Sequence, residues 1–216
     1  GVILPPVGYL SRLREICTEH GVLLIFDEVI TGFGRTGNAF AAQTFGVTPD
    51  IICLAKALTN GVVPMGATIA SSEIYETFMA TDAPDYAIEF PHGYTYSGHP
   101  VACAAGVAAM DILEHEKLAD RVESIAPYFE DALHGLKGLP YILDIRNFAL
   151  TGAVQLKPYP DEPARRPAEV AQSCWEKGLY VRYAGDCLAI APPFIVEKED
   201  IDFTFNVLSD VIGALT

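Results

Sequence analysis

Val22-Leu23-Leu24-Ile25-Phe26-Asp27-Glu28 is an apolar run that breaks abruptly into two acids. An unbroken run, unlike an alternating one, is the pattern of a parallel strand covered on both faces. Ile51-Ile52-Cys53-Leu54 and Ala67-Thr68-Ile69-Ala70 are two further runs of this kind. Between and before them the period changes. Leu10, Leu13, Ile16 and Cys17 recur at helical spacing, with Gly21 where a helix would stop. A short helical stretch is expected over 39–45. Another is expected after Ser71-Ser72, which supply a cap, with Glu73 and Glu76 in the first turn. Strands alternating with helices predict an α/β layer built on a mostly parallel sheet.

Further along, residues 80–98 read as irregular, rich in Pro, Gly and aromatics. Pro100 suits the first turn of a helix in which small residues dominate through Ala109. A second helix is expected over 118–136. The character changes near Gly138. Strand-like segments at 141–148, 153–156, 179–183 and 187–191 interleave with helices near 167–177 and from Lys198 onward. Two domains are therefore expected: residues 1–137 in the α/β layer, and residues 138–216 in a smaller α+β domain.

Composition narrows the function. Of 216 residues, 50% are hydrophobic and 19% charged, a core-forming balance. The formal net charge of −14 argues against nucleic acid or an anionic membrane as partner. Five cysteines, an odd count with no C-x-x-C pair, fit reduced thiols in a cytoplasmic protein. No stretch approaches the ~20 apolar residues of a membrane span. The chain opens on Gly1 rather than Met, directly into an apolar segment, and reads as the interior of a longer protein.

The chemistry-bearing residues sit where the strands end. Ligands of open α/β sheets bind at the carboxyl ends of strands, which is where Asp27 stands. A solvated acid at a strand end is the plain alternative. Lys56 follows the next apolar run. Desolvating its charge there is costly unless a lowered pKa and nucleophilic amine are the purpose; the alternative is a lysine that reaches back to water. The two residues are far enough apart for a crossover between neighbouring parallel strands, so they can face one crevice. Gly32-Phe33-Gly34-Arg35-Thr36-Gly37 spells G-x-G-x-x-G, with Asp50 near the spacing of a ribose-binding acid. It offers a second function, an NAD- or FAD-dependent oxidoreductase, although five residues separate the strand from the first glycine. Tyr94-Thr95 lead into a helix start, where a hydroxyl and backbone N–H groups can hold phosphate. His92 and His99 lack a carboxylate or thiol at ligand spacing and read as loop histidines, with no metal implied. Arg182, between Tyr180 and Tyr183, can grip a carboxylate through two parallel hydrogen bonds, or serve as an ordinary surface arginine.

In order, the segments Leu24 to Arg35, Ala55-Lys56-Ala57-Leu58-Thr59-Asn60-Gly61, Pro64-Met65-Gly66, Gly93 to Pro100 and Val181 to Asp186 resemble the class III aminotransferases. The run from Glu89 to Ser97 and Tyr180-Val181-Arg182-Tyr183-Ala184-Gly185-Asp186 are most similar to its omega-amino acid:pyruvate (β-alanine:pyruvate) branch. The resemblance implies the fold type I architecture: a large domain with a mixed, mostly parallel sheet, then a small terminal domain. It implies pyridoxal 5'-phosphate as cofactor, an amino donor and an α-keto acid as substrates, and homodimers or dimers of dimers. It implies that Lys56 forms the imine with the cofactor and serves as its acid/base. Asp27 would pair with the pyridine nitrogen and Val29 would pack on the ring. Tyr94 and Thr95 would reach the phosphate of the partner subunit's cofactor, and Arg182 would bind the keto-acid carboxylate. The chain matches about the latter half of the family's length, without its Gly-Ser phosphate loop or the aromatic that stacks on the other ring face. An open sheet edge and an uncovered apolar face are therefore expected.

Overall fold

The computed structural model describes residues 1–80, 84, 86 and 92–215. The chain divides into two compact units, the first made of Pro5–Gly34 and Asn38–Lys117. It opens with helix α1 (Tyr9–Glu19), which ends before Gly21 at φ +62°. Strand β1 (Ile25–Asp27), helix α2 (Ala41–Thr44) and strand β2 (Ile51–Leu54) follow. After β2 the chain makes a 3-10 turn at Lys56–Leu58, then strand β3 (Ala67–Ala70) and helix α3 (Ser72–Met79). The hydroxyl of Ser71 caps α3 by accepting from the Ile74 N–H. Helix α4 (Pro100–His115) starts on the proline, whose missing N–H has no partner to lose there.

The sheet order is β1-β2-β3. β1 and β2 are parallel, with Asp27 opposite Cys53, while β3 runs antiparallel, with Ala67 opposite Leu54. The sheet is therefore mixed. Of two expectations, strands covered on both faces and an uncovered apolar face, the second holds. The apolar runs predict strands covered on both faces, yet Val22 and Ile25 are each 55% exposed and Ile69 is 52% exposed. β1 and β3 are outer strands, and no described layer lies over these side chains. Each forgoes about half of the roughly 1.5–3 kcal/mol that full burial would supply. What is buried forms two small clusters. Cys17, Leu24 and Val47 pack with Leu10, Leu13 and Phe26, and Phe33, Leu54 and Leu58 pack with Phe40, Ile52 and Leu113.

The second unit holds Gly1–Leu4, Arg35–Gly37 and the chain from Leu118 onward. Its antiparallel sheet has the order β4-β5-β7-β6, from β4 (Ile142–Phe148), β5 (Thr151–Leu156), β6 (Arg182–Ala184) and β7 (Cys187–Ile190). Helices α5 (Leu118–His134), α6 (Arg165–Glu176) and α7 (Lys198–Gly213) complete it. Their apolar stripes build a full core in which Phe129, Leu133, Leu156, Leu188, Leu208 and Ile212 are buried. Packing divides the chain before α5, earlier than the change of composition at Gly138. Val122, Ile125, Phe129 and Leu133 recur at helical spacing and bury on this sheet, so the helix goes with it. Gly152 makes room for them: a Cβ there would lie 2.7 Å from Leu133 Cδ2 and 3.3 Å from Phe129. The five cysteines are free, with Cys17, Cys174 and Cys187 buried. Among the described residues no helix is long and apolar enough to cross a membrane.

Candidate active site

Because β1 and β2 are parallel, their carboxyl ends share one edge of the sheet, and both expected residues lie there. Asp27 closes β1. The Glu28 N–H donates to the Cys53 carbonyl at 2.9 Å, carrying the ladder one residue past it. Lys56 opens the turn after β2 with φ +48°, in the left-handed region that costs a side-chain-bearing residue about 1 kcal/mol or more. Local bonds hold it there. The Lys56 carbonyl accepts from the N–H groups of Thr59 and Gly61, each at 3.3 Å. Leu58 and Thr59 are buried. The Lys56 side chain is exposed and, among the described residues, enters no ion pair or hydrogen bond. Asp27 is exposed as well; its Oδ1 accepts from the Val29 N–H at 3.0 Å, which leaves Oδ2 uncommitted among the described residues. Val29 beside it is half-buried.

Glu28, read in the sequence only as a second acid, proves to be interior. Adjacent residues of a strand face opposite ways, so of two acids at a strand end only one can reach the crevice. That signal was available in the sequence. The Glu28 carboxylate is 2% exposed and accepts from the N–H of Ala41 at 2.6 Å, the N–H of Ala42 at 2.7 Å and the hydroxyl of Thr31 at 3.1 Å.

The glycine run does not make a dinucleotide site, and the oxidoreductase reading finds no support. Such a site needs free N–H groups at a helix start. Here the N–H of Gly32 donates to the Glu28 carbonyl at 2.9 Å, and those of Phe33 and Gly34 donate to the Ala39 carbonyl at 2.6 and 3.3 Å. Gly32 is required for closeness, since a Cβ would stand 2.8 Å from the Glu28 carbonyl oxygen. The next helix, α2, has only four residues. Arg35 instead belongs to the second unit. Its Nη1 donates to the carbonyls of Leu150 and Pro192 at 3.2 and 2.7 Å, and its guanidinium lies 4.5 Å from the centre of the Phe194 ring. Burial pushes its pKa down to about 10, which still leaves it a cation at neutral pH.

Asp50, the would-be ribose acid, is already engaged. Its Oδ2 accepts from Arg14 Nη1 at 2.7 Å and from the Leu24 N–H at 2.6 Å. These bonds, the Arg14 bond foremost, hold its carboxyl below the usual range. A depressed carboxylate stabilises the fold above its unfolded pKa, and that contribution is lost as pH falls through the folded pKa. We therefore expect the urea-unfolding free energy of the chain to drop as pH falls from about 5 to about 3. Asp50→Asn should flatten part of that slope, and an unchanged slope would show that this pair does not matter.

Gly93 to His99 form the loop that feeds α4. The Tyr94 N–H donates to Ser97 Oγ at 2.9 Å, and the Ser97 N–H returns to the Tyr94 carbonyl at 3.0 Å. This small closed turn presents Tyr94, 82% exposed, and Thr95, also exposed, whose hydroxyl is unengaged among the described residues. Glu89, Phe90 and Pro91 of the quoted motif lie outside the described residues. α4 packs on the Lys56 turn through Gly106, where a Cβ would meet the Leu58 carbonyl at 3.5 Å. The helix that begins at this loop therefore also braces the lysine. Arg182 belongs to the second unit, on outer strand β6 opposite Ala189 of β7. It is exposed and unpartnered among the described residues.

A carboxylate and a free amine thus stand at the carboxyl edge of neighbouring parallel strands. The donor set suits a pyridine ring that carries an aldehyde: Asp27 has an open oxygen for a ring N–H, and Lys56 has an uncommitted Nζ. The chain belongs to the class III aminotransferases, since the family model "Aminotransferase class-III" matches residues 1–212. It is 55% identical over 215 residues to the omega-amino acid–pyruvate aminotransferase of Pseudomonas putida, covering 100% of this chain and 48% of that protein. It is 53% identical over 215 residues to the beta-alanine–pyruvate aminotransferase of Pseudomonas aeruginosa, again over 100% of this chain and 48% of that protein. Among solved structures, a thermostable (S)-enantioselective omega-transaminase from Thermomicrobium roseum superposes with a TM-score of 0.90 at 35% identity, covering 98% of this chain and 47% of that one. An amine transaminase from an uncultivated Pseudomonas species gives a TM-score of 0.90 at 36% identity, over 98% and 49%. The fold is that of the fold type I transaminases, and the chain spans about half the length of the curated relatives it matches.

Proposed function

We propose that this chain carries the lysine-bearing half of a pyridoxal-phosphate-dependent aminotransferase. The reaction transfers the amino group of an omega-amino acid of the β-alanine type to pyruvate. The observation that carries this reading is the strand register, which sets Asp27 and Lys56 on one edge of neighbouring parallel strands. The substrate class is supported by the 55% and 53% identity to the two Pseudomonas proteins named above.

When bound, the cofactor supplies an aldehyde that captures amines and a protonated ring that accepts an electron pair. The protein's part is then positional. Asp27 keeps a proton on the ring nitrogen, because a carboxylate beside a pyridinium favours its charged form. Lys56 would hold the cofactor's aldehyde through its Nζ and, once the incoming substrate amine had displaced it, would serve as the base and acid that moves the substrate-carbon proton. Val29 packs on the ring. Arg182 grips the pyruvate carboxylate with two parallel hydrogen bonds. Tyr94, through its backbone, and Thr95 reach the phosphate held in a partner subunit, a role suited to an exposed, unengaged hydroxyl. The working enzyme is then a homodimer or a dimer of dimers, in the cytoplasm.

In this reading turnover needs a polypeptide of the relatives' length. Among the described residues the three-stranded sheet has two open edges and exposed apolar side chains, so the isolated chain is prone to pairing or aggregation. We expect purified residues 1–216, given pyridoxal phosphate, β-alanine and pyruvate, to form no alanine. A polypeptide of the relatives' length that contains this chain should form alanine and malonate semialdehyde. Stoichiometric cofactor binding with turnover by residues 1–216 would refute the half-enzyme reading, and an inert longer polypeptide would refute the activity.

A further inference from the structure

We infer that Glu28 is the positioning residue for Asp27, fixing the orientation of that carboxylate without touching the cofactor. The inference rests on the proposed function and adds a residue to its machinery. Among the described residues the Asp27 carboxylate has one tie, the 3.0 Å bond from the Val29 N–H to Oδ1. Its neighbour is bound from several directions. The Glu28 backbone N–H is held by Cys53 of β2 and its carbonyl by the Gly32 N–H, each at 2.9 Å. Its carboxylate, on the opposite face from Asp27, is gripped by Ala41, Ala42 and Thr31.

Ala41 and Ala42 are the first two residues of α2, and the N–H groups of a first helical turn have no partners within their helix. Glu28 therefore joins three pieces: the end of β1, the Thr31–Gly32 turn and the start of α2. Gly32 lets the turn close to 2.8 Å from a virtual Cβ, so the segment has little slack. An unpaired buried charge would be expensive, and this carboxylate accepts three hydrogen bonds. The direction of Asp27 is thus set by a peg driven in one residue later. Displacing a catalytic group by about 1 Å through a remote change can cost about 100-fold.

The competing view is that Glu28 is only a buried cap whose loss lowers stability. Glu28→Gln separates the two. It keeps the shape, but turns an acceptor oxygen into an NH2 group facing a backbone donor. The experiment uses the full-length holoenzyme that the proposed function calls for, below the melting temperature of every variant. It reads the cofactor dissociation constant and the 15N shift of ring-labelled pyridoxal phosphate. We expect Glu28→Gln to weaken cofactor binding about 10–100-fold and to move the ring-nitrogen signal toward the deprotonated form. On an Asp27→Ala background the same change should add no more than about twofold, because it acts through a group already removed. If Glu28→Gln does not fold, Thr31→Val removes one of the three side-chain bonds. It should weaken binding several-fold in the same direction, with Thr31→Ser restoring it. A variant with lower thermal stability but wild-type affinity and 15N shift would overturn the inference, as would full additivity with Asp27→Ala. An Asp27→Ala protein that binds the cofactor like wild type would remove the proposed Asp27 pairing itself, and this inference with it.

Discussion

Lys56→Ala, in a polypeptide of the relatives' length that carries this chain, is expected to cut turnover of β-alanine with pyruvate by at least about 10³-fold. The figure is conservative, because a positioned acid/base alone contributes about 10²–10⁴-fold, and the covalent role of the amine comes on top. The substitution is clean on backbone grounds. Lys56 sits at φ +48°, and alanine bears the same left-handed cost as lysine, so little conformational energy changes. The exposed side chain makes no bond among the described residues, so its removal orphans no partner. Wild-type melting temperature with lost turnover is the expected pair of results. Retained turnover would mean that another amine does the work.

Arg182→Ala should separate two acceptors. A carboxylate held by a charged, two-bond fork is worth about 2–3 kcal/mol, which raises the KM for pyruvate by roughly 30–150-fold. An aldehyde acceptor of similar size has no carboxylate to lose and should change by less than about threefold. Arg182 lies on an outer strand and its side chain forms no bond among the described residues, so truncation should leave β6 in place. Arg182→Lys keeps the charge but not the fork and should recover only part of the loss. Equal losses for both acceptors would make Arg182 structural.

The sequence made the element order plain, because periodicity and punctuation agree along most of the chain. Gly21, Ser71, Pro100 and the prolines after β7 mark the element ends found in the structure. The strand-end positions of Asp27 and Lys56 were legible for a similar reason: a charge at the end of an apolar strand conflicts with its surroundings and so draws attention. Exposure of β1 and β3 was legible only through the family resemblance, because what covers a strand is not encoded in its own pattern. Two things were not legible. The place of α5 depends on packing against Gly152 and the second sheet, contacts remote in sequence. The Gly32–Gly37 spacing suggested phosphate binding, but only the partners of its N–H groups reveal that they are already spent inside the loop.

Lys56, at the same sheet edge as Asp27, is proposed as the amine that would carry the cofactor. Borohydride reduction of the pyridoxal-phosphate-loaded full-length polypeptide, followed by peptide mapping, tests it most directly. One stoichiometric pyridoxyl label is expected, on the Nζ of Lys56. A label on a different lysine, or no label together with a nicotinamide or flavin requirement, would contradict it.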